Sequence, residues 1–483
     1  MMRKPELLRP DVLHEECGVF GIWSPEEADL ASLVYNGLFA LQHRGQESAG
    51  IVVYQGGVLH VYRQPGLVSE LGTLPAFKNR QPGTAAVGHV RYATTGSDSR
   101  RNIQPLVINH HRGSMALAHN GNLTNARQIR EALEENGAVF HSTTDTEVIA
   151  YQFVQGSVRG SSPVEAAAAA MERLEGAYSL VIVSAGKLFA LRDPFGFRPL
   201  CLGKRPDGMI VAASESCALD AVGAEFLRDV EPGEIVTVDA DGIHSDRRFC
   251  GTRERRLCVF EYIYFARPDS VIDGSSVTLA RQRAGAFLAQ EHPVEADVVI
   301  GVPDSGLDAA IGYAAESGIP YAMGFTKNKY VGRTFIEPTQ GERENSLRVK
   351  LNPIRSVVEG KRVVLIDDSI VRGTTCRYII SLLRRAGVRE IHMRISAPPF
   401  VAPCFYGTDI DRADRLIANH HTIPEIAQII GVDSLGYLST ESVKLLTGQD
   451  DGFCTACFGG EYPTAIPPEG ESGCFDTGID DPV

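Results

Sequence analysis

Apolar and polar positions follow one another in two different ways along this chain, and the change falls near its middle. Leu30, Leu33, Val34, Leu38 and Leu41 recur at helical spacing, which predicts an amphipathic helix. It lies between strand-like stretches at 18–22 and 51–62, and the second, IVVYQGGVLHVY, turns at Gly56-Gly57 as a hairpin. Another helix is expected over 163–175, PVEAAAAAMERLE, with Ser161 or Ser162 as its cap and Pro163 in its first turn. Short strands follow, AYSLVIV, KLFALRD, PLCLGKR and MIVAASE, separated by turns. Strands paired this locally predict a mainly antiparallel sheet with helices segregated onto its faces. The pattern fades near residue 250.

The second half reads differently. ADVVIGVPDSGLDAAIGYAAESGIP, 296–320, is a buried strand, a loop, a helix and a glycine stop. KRVVLIDDSIVRGTTCRYIISLLRRAGVREIHMRI, 361–395, repeats that plan and adds the next strand. Cys376, Ile379, Ile380 and Leu383 mark one helix face. Continuous apolar strands alternating with helices predict a parallel sheet covered on both faces. Residues 461–483 hold six acidic residues and no basic one, and read as a disordered acidic tail. No internal repeat of 20–50 residues occurs.

The length of 483 residues implies two or more domains, because single cores seldom grow past ~250–300 residues. A formal net charge of −13 removes the global basic field that would suit nucleic acid. No apolar run approaches the ~18 residues that span a bilayer, so no membrane partner is expected. The first sixteen residues carry Arg3 and Lys4 but lack the apolar stretch of a secretory signal. Glu6, Asp11, Glu15 and Glu16 argue against an organelle transit peptide, and a cytoplasmic location is expected. Ten cysteines scattered over so long a chain do not read as a secreted disulfide framework, so metal binding or catalysis becomes the question.

VVLIDDSIVRGTT, 363–375, carries the most specific chemistry. An apolar strand ends in two carboxylates, Asp367 and Asp368, and a loop then delivers Arg372, Gly373, Thr374 and Thr375 to a helix start. Amides and hydroxyls at a helix N-terminus grip phosphate, and Gly373 lets the backbone approach it. The carboxylates can hold ribose hydroxyls or Mg²⁺. A lone Asp-Asp would read as a helix cap; attached to RGTT it reads as a site for a phosphorylated sugar. The stretch resembles the phosphoribosyl pyrophosphate loop of type I phosphoribosyltransferases. GVPDSG, 301–306, resembles that fold's pyrophosphate loop, and KNKYVGRTF, 327–335, its flexible catalytic loop. The resemblance implies that Lys327, Lys329 and Arg333 place positive charge on a departing pyrophosphate. It also implies that Ser305, Asp367 and Asp368 lie nearest a Mg²⁺ ion. Catalysis would then come from positioning and electrostatics.

Such a reaction needs a nucleophile, and free ammonia is scarce near neutral pH. The first half offers LQHRGQESAG at 41–50, GHVRYATTG at 88–96, AHNGNLTN at 118–125 and STTDTE at 142–147, all after a Cys17-Gly18 start. None is diagnostic alone. In this order they resemble the glutaminase domain of N-terminal-nucleophile amidotransferases. From Cys17 to about Pro463 the chain resembles the glutamine phosphoribosylpyrophosphate amidotransferase family. The resemblance implies an α+β glutaminase domain, an αββα sandwich, over 17–250. An α/β type I phosphoribosyltransferase domain with a parallel sheet would follow over 251–460. Cys17 would attack the amide carbon of glutamine, and its own α-amine, titrating near pH ~8, would serve as base once exposed. Asn120 and the amide of Gly121 would form the oxyanion hole, Arg91 would pair with the glutamine α-carboxylate and Asp145 would hold its α-ammonium. Residues 1–16 would be a removable leader, cleaved between Glu16 and Cys17.

FCTACF holds Cys454 and Cys457 as C-x-x-C, a moderate metal signal that needs two more thiolates. Cys258 and Cys404 stand where the iron–sulfur-bearing branch of the family places its other ligands. The resemblance therefore implies a [4Fe–4S] cluster on Cys258, Cys404, Cys454 and Cys457, with structural zinc as the alternative. EYIYFARPDS, 261–270, joins the halves; it reads as interdomain packing, and the resemblance adds an ammonia channel. The expected activity is conversion of phosphoribosyl pyrophosphate and glutamine to 5-phosphoribosylamine, glutamate and pyrophosphate, opening purine synthesis. A homotetramer and feedback inhibition by purine nucleotides are implied by the family only. Two rivals stand beside this reading. Another glutamine amidotransferase, of the glucosamine-phosphate synthase type, shares the first half but not IDDSIVRGTT. A non-catalytic phosphoribosyl pyrophosphate sensor should lack the reactive cysteine and the flexible loop.

Overall fold

The computed structural model describes residues 17–92, 100–111, 113–158, 162–328, 351–408, 410, 412–448 and 452–468. Residues 1–16, Ser161, Lys329, Arg333, Cys474 and the acidic end from 469 onward lie outside the described residues.

The strands of the first half, in chain order, are β1 (Gly18–Ala28), β2 (Ser48–Gln55), β3 (Val58–Pro65), β4 (Gly83–Arg91), β5 (Leu106–His110), β6 (Gly113–Leu123), β7 (Gly176–Ser184), β8 (Lys187–Arg192), β9 (Cys201–Lys204), β10 (Ile210–Ala213), β11 (Glu225–Asp229), β12 (Ile235–Asp239) and β13 (Gly242–Asp246). They form two antiparallel sheets, ordered β11-β9-β10-β1-β4-β2-β3 and β13-β12-β8-β7-β6-β5. The expected hairpin is β2–β3, closed by Gln55↔Val58. Gly56 and Gly57 have φ of 53° and 96°, the left-handed conformations such a turn needs.

Alternation along β1 builds the layers. Phe20 and Ile22 pack on Leu30, Val34 and Leu38 of the helix Leu30–Ala40. Val19 points the other way, into the core between the sheets with Val181 and Leu188. Gly21 shares that inner side, where a Cβ would come within 2.4 Å of Val181 Cγ1, so its missing side chain lets the sheets approach. The helices Asp145–Val158 and Pro163–Met171 cover the outer face of the second sheet through Phe153 and Ala166 against Leu180 and Ile182. Helix, sheet, sheet, helix is the expected αββα sandwich. Ser162 caps the second of these helices by accepting from the Glu165 amide at 3.2 Å. That helix stops at Met171, short of the expected 175, because the chain reverses there to enter β7.

In the second half, Val298–Gly301, Arg362–Asp367, Glu390–Ile395 and Ser434–Tyr437 lie side by side in that order, all parallel. Val299, Val364, Leu365, Ile391 and Met393 are fully buried, as strands covered on both faces require. Helix Leu307–Ser317 ends on Gly318 in the left-handed conformation, the expected stop. Helix Thr374–Arg385 buries Cys376, Ile379, Ile380 and Leu383. Loops 302–306 and 368–373 leave the carboxyl ends of adjacent strands, where parallel sheets bind ligands.

Candidate active sites and a four-cysteine centre

Cys17 immediately precedes β1. The register Gly18↔Val90 sets it beside the end of β4, where Arg91 stands. Its Sγ donates to the Tyr92 carbonyl at 3.4 Å, and the residue is buried. Asn120 and Gly121 lie on β6, which pairs with β5 only as far as Leu117 but with β7 through Leu123. Among the described residues, one edge of β6 is therefore without a strand beyond Leu117. On that edge the His119 amide donates to Gln104 Oε1 at 2.8 Å and the Leu123 amide to Asp145 Oδ2 at 2.9 Å. Strand alternation directs the Gly121 amide to the same edge, between those two. Gly121 has φ of 138°, and a Cβ there would lie 2.1 Å from the Ala177 carbonyl oxygen, so only glycine fits.

Asn120 Nδ2 is buried and has no acceptor among the described residues. Buried donors of this kind are rare, and they serve where negative charge is to develop. Cys17, Arg91, Gly121 and Asp145 line one pocket, together with Tyr92, Gln104, His119, Thr144 and Thr146. The pocket thus gathers residues from four separate motifs, and Asn120 adjoins it along the chain. Gln104 was not foreseen: it lies outside every motif, and its role in holding the His119 amide depends on the fold. His119 Nδ1 stands 3.5 Å from Asp145 Oδ1. Burial pushes the His89 ring down to a pKa of about 3, so it is neutral and its Nε2 donates to the His119 carbonyl at 3.0 Å. His89 supports the strand that carries Asn120; it does not line the pocket.

In the second half, Asp367 ends its strand and Asp368 opens the next loop, both buried. Ser305 Oγ, from the neighbouring loop, donates to Asp368 Oδ1 at 2.6 Å, so the two expected loops meet. The Asp368 amide donates to Asp367 Oδ1 at 3.0 Å. Burial, and then the adjacent Asp368 charge, hold the Asp367 carboxyl well above the usual carboxylate range. A buried carboxylate pair at a strand end fits a cation or sugar hydroxyls. Gly373 adopts φ of 83° and leads into the helix that starts at Thr374. Lys327 Nζ pairs with Asp304 Oδ2 at 2.5 Å, which sets a cation on the rim of the same loop.

Cys258, Cys404, Cys454 and Cys457 line one cavity, walled by Phe197, Phe260, Phe400, Tyr406 and Tyr462. Two short parallel strands, Leu257–Cys258 and Phe453–Cys454, pair Cys258 with Cys454. The Val401 amide donates to the Cys457 carbonyl at 3.0 Å, which ties the Cys404 segment to the same place. Burial, then neighbouring Cys404, Cys258 and Cys454, raise the Cys457 thiol far above its ordinary value; Cys454 is pushed up to about 12, first by burial. Four thiolates gathered in one cavity repel one another and need compensating positive charge, which suits a metal centre. Four thiols around one cavity are a donor set that fits a cluster or a zinc ion.

The halves meet through buried charges. Glu261 opens the turn Glu261–Phe265 and is fully buried. It accepts from Arg44 and from Arg198 Nη1 at 3.4 Å. Arg44 also pairs with Glu215, which accepts from Ser270 Oγ at 2.6 Å. Burial alone would raise the Glu215 carboxyl, but Arg44 and His43 bring it well below the usual range.

Residues 89–221 match the model of a glutamine amidotransferase domain, and residues 278–397 that of a phosphoribosyl transferase domain. Fold and sites therefore define a glutamine amidotransferase joined to a phosphoribosyltransferase. An amidophosphoribosyltransferase of Synechocystis is 52% identical over 95% of this chain and 92% of its own length. One of Bacillus subtilis is 49% identical over 94% of this chain and 95% of its own. This chain belongs to the amidophosphoribosyltransferase family. The structure of the Bacillus subtilis glutamine phosphoribosylpyrophosphate amidotransferase complexed with ADP and GMP superposes with a TM-score of 0.87 at 48% identity, covering 94% of this chain and 98% of that one.

Proposed function

We propose that this chain makes 5-phosphoribosylamine, glutamate and pyrophosphate from phosphoribosyl pyrophosphate, glutamine and water, the first step of purine synthesis. The observation that carries this reading is the pocket that gathers Cys17, Arg91, Gly121 and Asp145 in a chain with a second, carboxylate-ended loop site. Domain limits of 17–250 and 251–460, with a leader over 1–16, complete it; of the disordered tail expected over 461–483, residues 461–468 instead belong with the second domain, where Tyr462 Oη donates to the Pro403 carbonyl at 2.7 Å.

At the first site the Cys17 thiol attacks the glutamine amide carbon and the C–N bond breaks to release ammonia. The resulting thioester is cleaved by water to glutamate. The α-amine of Cys17, freed by cleavage after Glu16, takes and returns the proton. The oxyanion lies between Asn120 Nδ2 and the Gly121 amide, Arg91 binds the α-carboxylate and Asp145 the α-ammonium.

At the second site the amides and hydroxyls of Gly373, Thr374 and Thr375, with Arg372, hold the 5-phosphate. Asp367 and Asp368 orient the ribose. Lys327 aids pyrophosphate departure, joined by Lys329 and Arg333 from outside the described residues. Ser305, Asp367 and Asp368 would hold Mg²⁺, whose chemistry is to neutralise pyrophosphate charge. Cys258, Cys404, Cys454 and Cys457 would hold a [4Fe–4S] cluster whose contribution is a cross-link between the C-terminal segment and the domain junction.

Purine nucleotides are proposed as inhibitors; the Bacillus subtilis relative described with ADP and GMP supports this. A homotetramer and a cytoplasmic location are proposed with them. Among the described residues no helix is long and apolar enough to cross a membrane. A coupled assay tests the reading: glutamine should yield glutamate and phosphoribosylamine together only when phosphoribosyl pyrophosphate is present. Glutamate release at an equal rate without it would contradict the coupling.

A further inference from the structure

The edge of β6 beyond Leu117 carries the Gly121 amide, and among the described residues no strand of its own domain lies along that edge. The second domain reaches the same stretch of β6. Asn122 Nδ2 donates to the Phe405 carbonyl at 2.9 Å, across 283 positions of sequence. Gly407 abuts Gly121: a Cβ on Gly407 would lie 3.3 Å from the Gly121 carbonyl carbon and 3.4 Å from its Cα. Between these two contacts, the Tyr406 carbonyl accepts from Arg198 Nη2 at 2.6 Å and Nε at 3.2 Å. The Tyr406 ring stacks on Phe197 with centroids 4.2 Å apart. Residues 405–407 are thus fixed at three successive positions, and all three contacts lie on the other domain. The segment begins at Cys404, whose Sγ accepts from the Tyr406 amide at 3.4 Å.

We propose that Asn122 and residues 405–407 are positioning groups for glutamine hydrolysis: the second domain, from the loop that leaves the four-cysteine centre, holds Gly121 where its amide can receive the oxyanion. The inference rests on the reading of Asn120 and Gly121 as the oxyanion hole. An amide of this kind acts only if it is aimed before charge develops, and small displacements are costly. Strand pairing with β7 holds Gly121 along one edge; residues 405–407 add contacts to its Cα and carbonyl carbon and to the neighbouring Asn122 side chain. Asn122 touches no substrate in this account.

The test compares full-length Asn122→Ala, Gly407→Ala and Asn120→Ala with the parent enzyme. Asn122→Ala removes the bond to Phe405 and is the cleaner probe; Gly407→Ala, at a backbone φ of 115°, strains the loop and sets a methyl group 3.2 Å from Arg198 Nη2 and 3.3 Å from the Gly121 carbonyl carbon. For both, kcat with glutamine should fall about 10- to 100-fold while KM for glutamine stays within about twofold. Synthesis from added ammonium salt should hold at the parent rate. So should alkylation of Cys17 by iodoacetamide, which requires no oxyanion hole. Iron and sulfide content is measured on each variant, so that a lost centre is not taken for a moved amide. Asn122→Ala with parent kcat for glutamine would overturn the proposal, as would equal loss of glutamine- and ammonia-dependent synthesis. Asn120→Ala separates the two layers. If it alone loses glutamine turnover, the positioning role falls and the oxyanion hole stands; if it too keeps parent turnover, the oxyanion reading falls and takes the proposal with it.

Discussion

Arg44 meets Glu261 at two points, Nη1 to Oε1 at 3.3 Å and Nη2 to Oε2 at 2.5 Å, and neither side chain reaches solvent. One residue belongs to the glutaminase half and the other to the turn that begins the second half. Removing one partner of a buried pair leaves the other charge uncompensated, at a cost of ~3–5 kcal/mol. Glu261→Ala should therefore destabilise the protein by about that amount, read from denaturant unfolding. Here Arg44 and Arg198 both lose a carboxylate, although Arg44 keeps Glu215 and Arg198 keeps the Tyr406 carbonyl. A loss below about 1 kcal/mol, the range of surface pairs, would contradict the burial of this network.

His89 gives a pH signature. Its ring is held at about 3 by burial, against 6.5 in the unfolded chain. A depressed histidine contributes stability above its unfolded value, and that contribution fades as pH falls from about 6.5 towards 3. The parent should accordingly lose stability relative to His89→Gln between about pH 7 and pH 5, measured as the change in the difference of their unfolding midpoints. A difference independent of pH would mean that the folded ring titrates normally.

Cleavage after Glu16 is checked by intact mass and N-terminal sequencing of active enzyme. The account expects Cys17 as the first residue, because an α-amine locked in a peptide bond cannot act as base. Full glutamine-dependent turnover with the leader attached would defeat it.

The four-cysteine centre is checked by elemental analysis. Iron and acid-labile sulfide should be present in comparable amounts, and Cys454→Ser should lower both. Stoichiometric zinc without sulfide would show a single-ion site instead.

Much of this was legible in the chain because its chemistry is local. IDDSIVRGTT spells strand end, loop and helix start in one run, and the structure places Asp367, Gly373 and Thr374 in those three roles. The hairpin turned where Gly56 and Gly57 stood, since a two-residue turn declares its own residues. EYIYFARPDS read as interdomain packing, which understated it: no periodicity marks Glu261 as the buried partner of Arg44 and Arg198. Those residues are 217 and 63 positions away, and only the folded domains bring them together. Gln104 and the Asn122–Phe405 contact escaped for the same reason. Both contacts join side chains to groups far away in the chain or beyond a strand's end, and alternation does not encode that.

The most direct measurement is the activity of Cys17→Ala with two nitrogen sources. Glutamine-dependent synthesis should disappear while synthesis from added ammonium salt continues near the parent rate. Loss of both activities in a folded variant that keeps its iron would contradict two separate sites joined by ammonia.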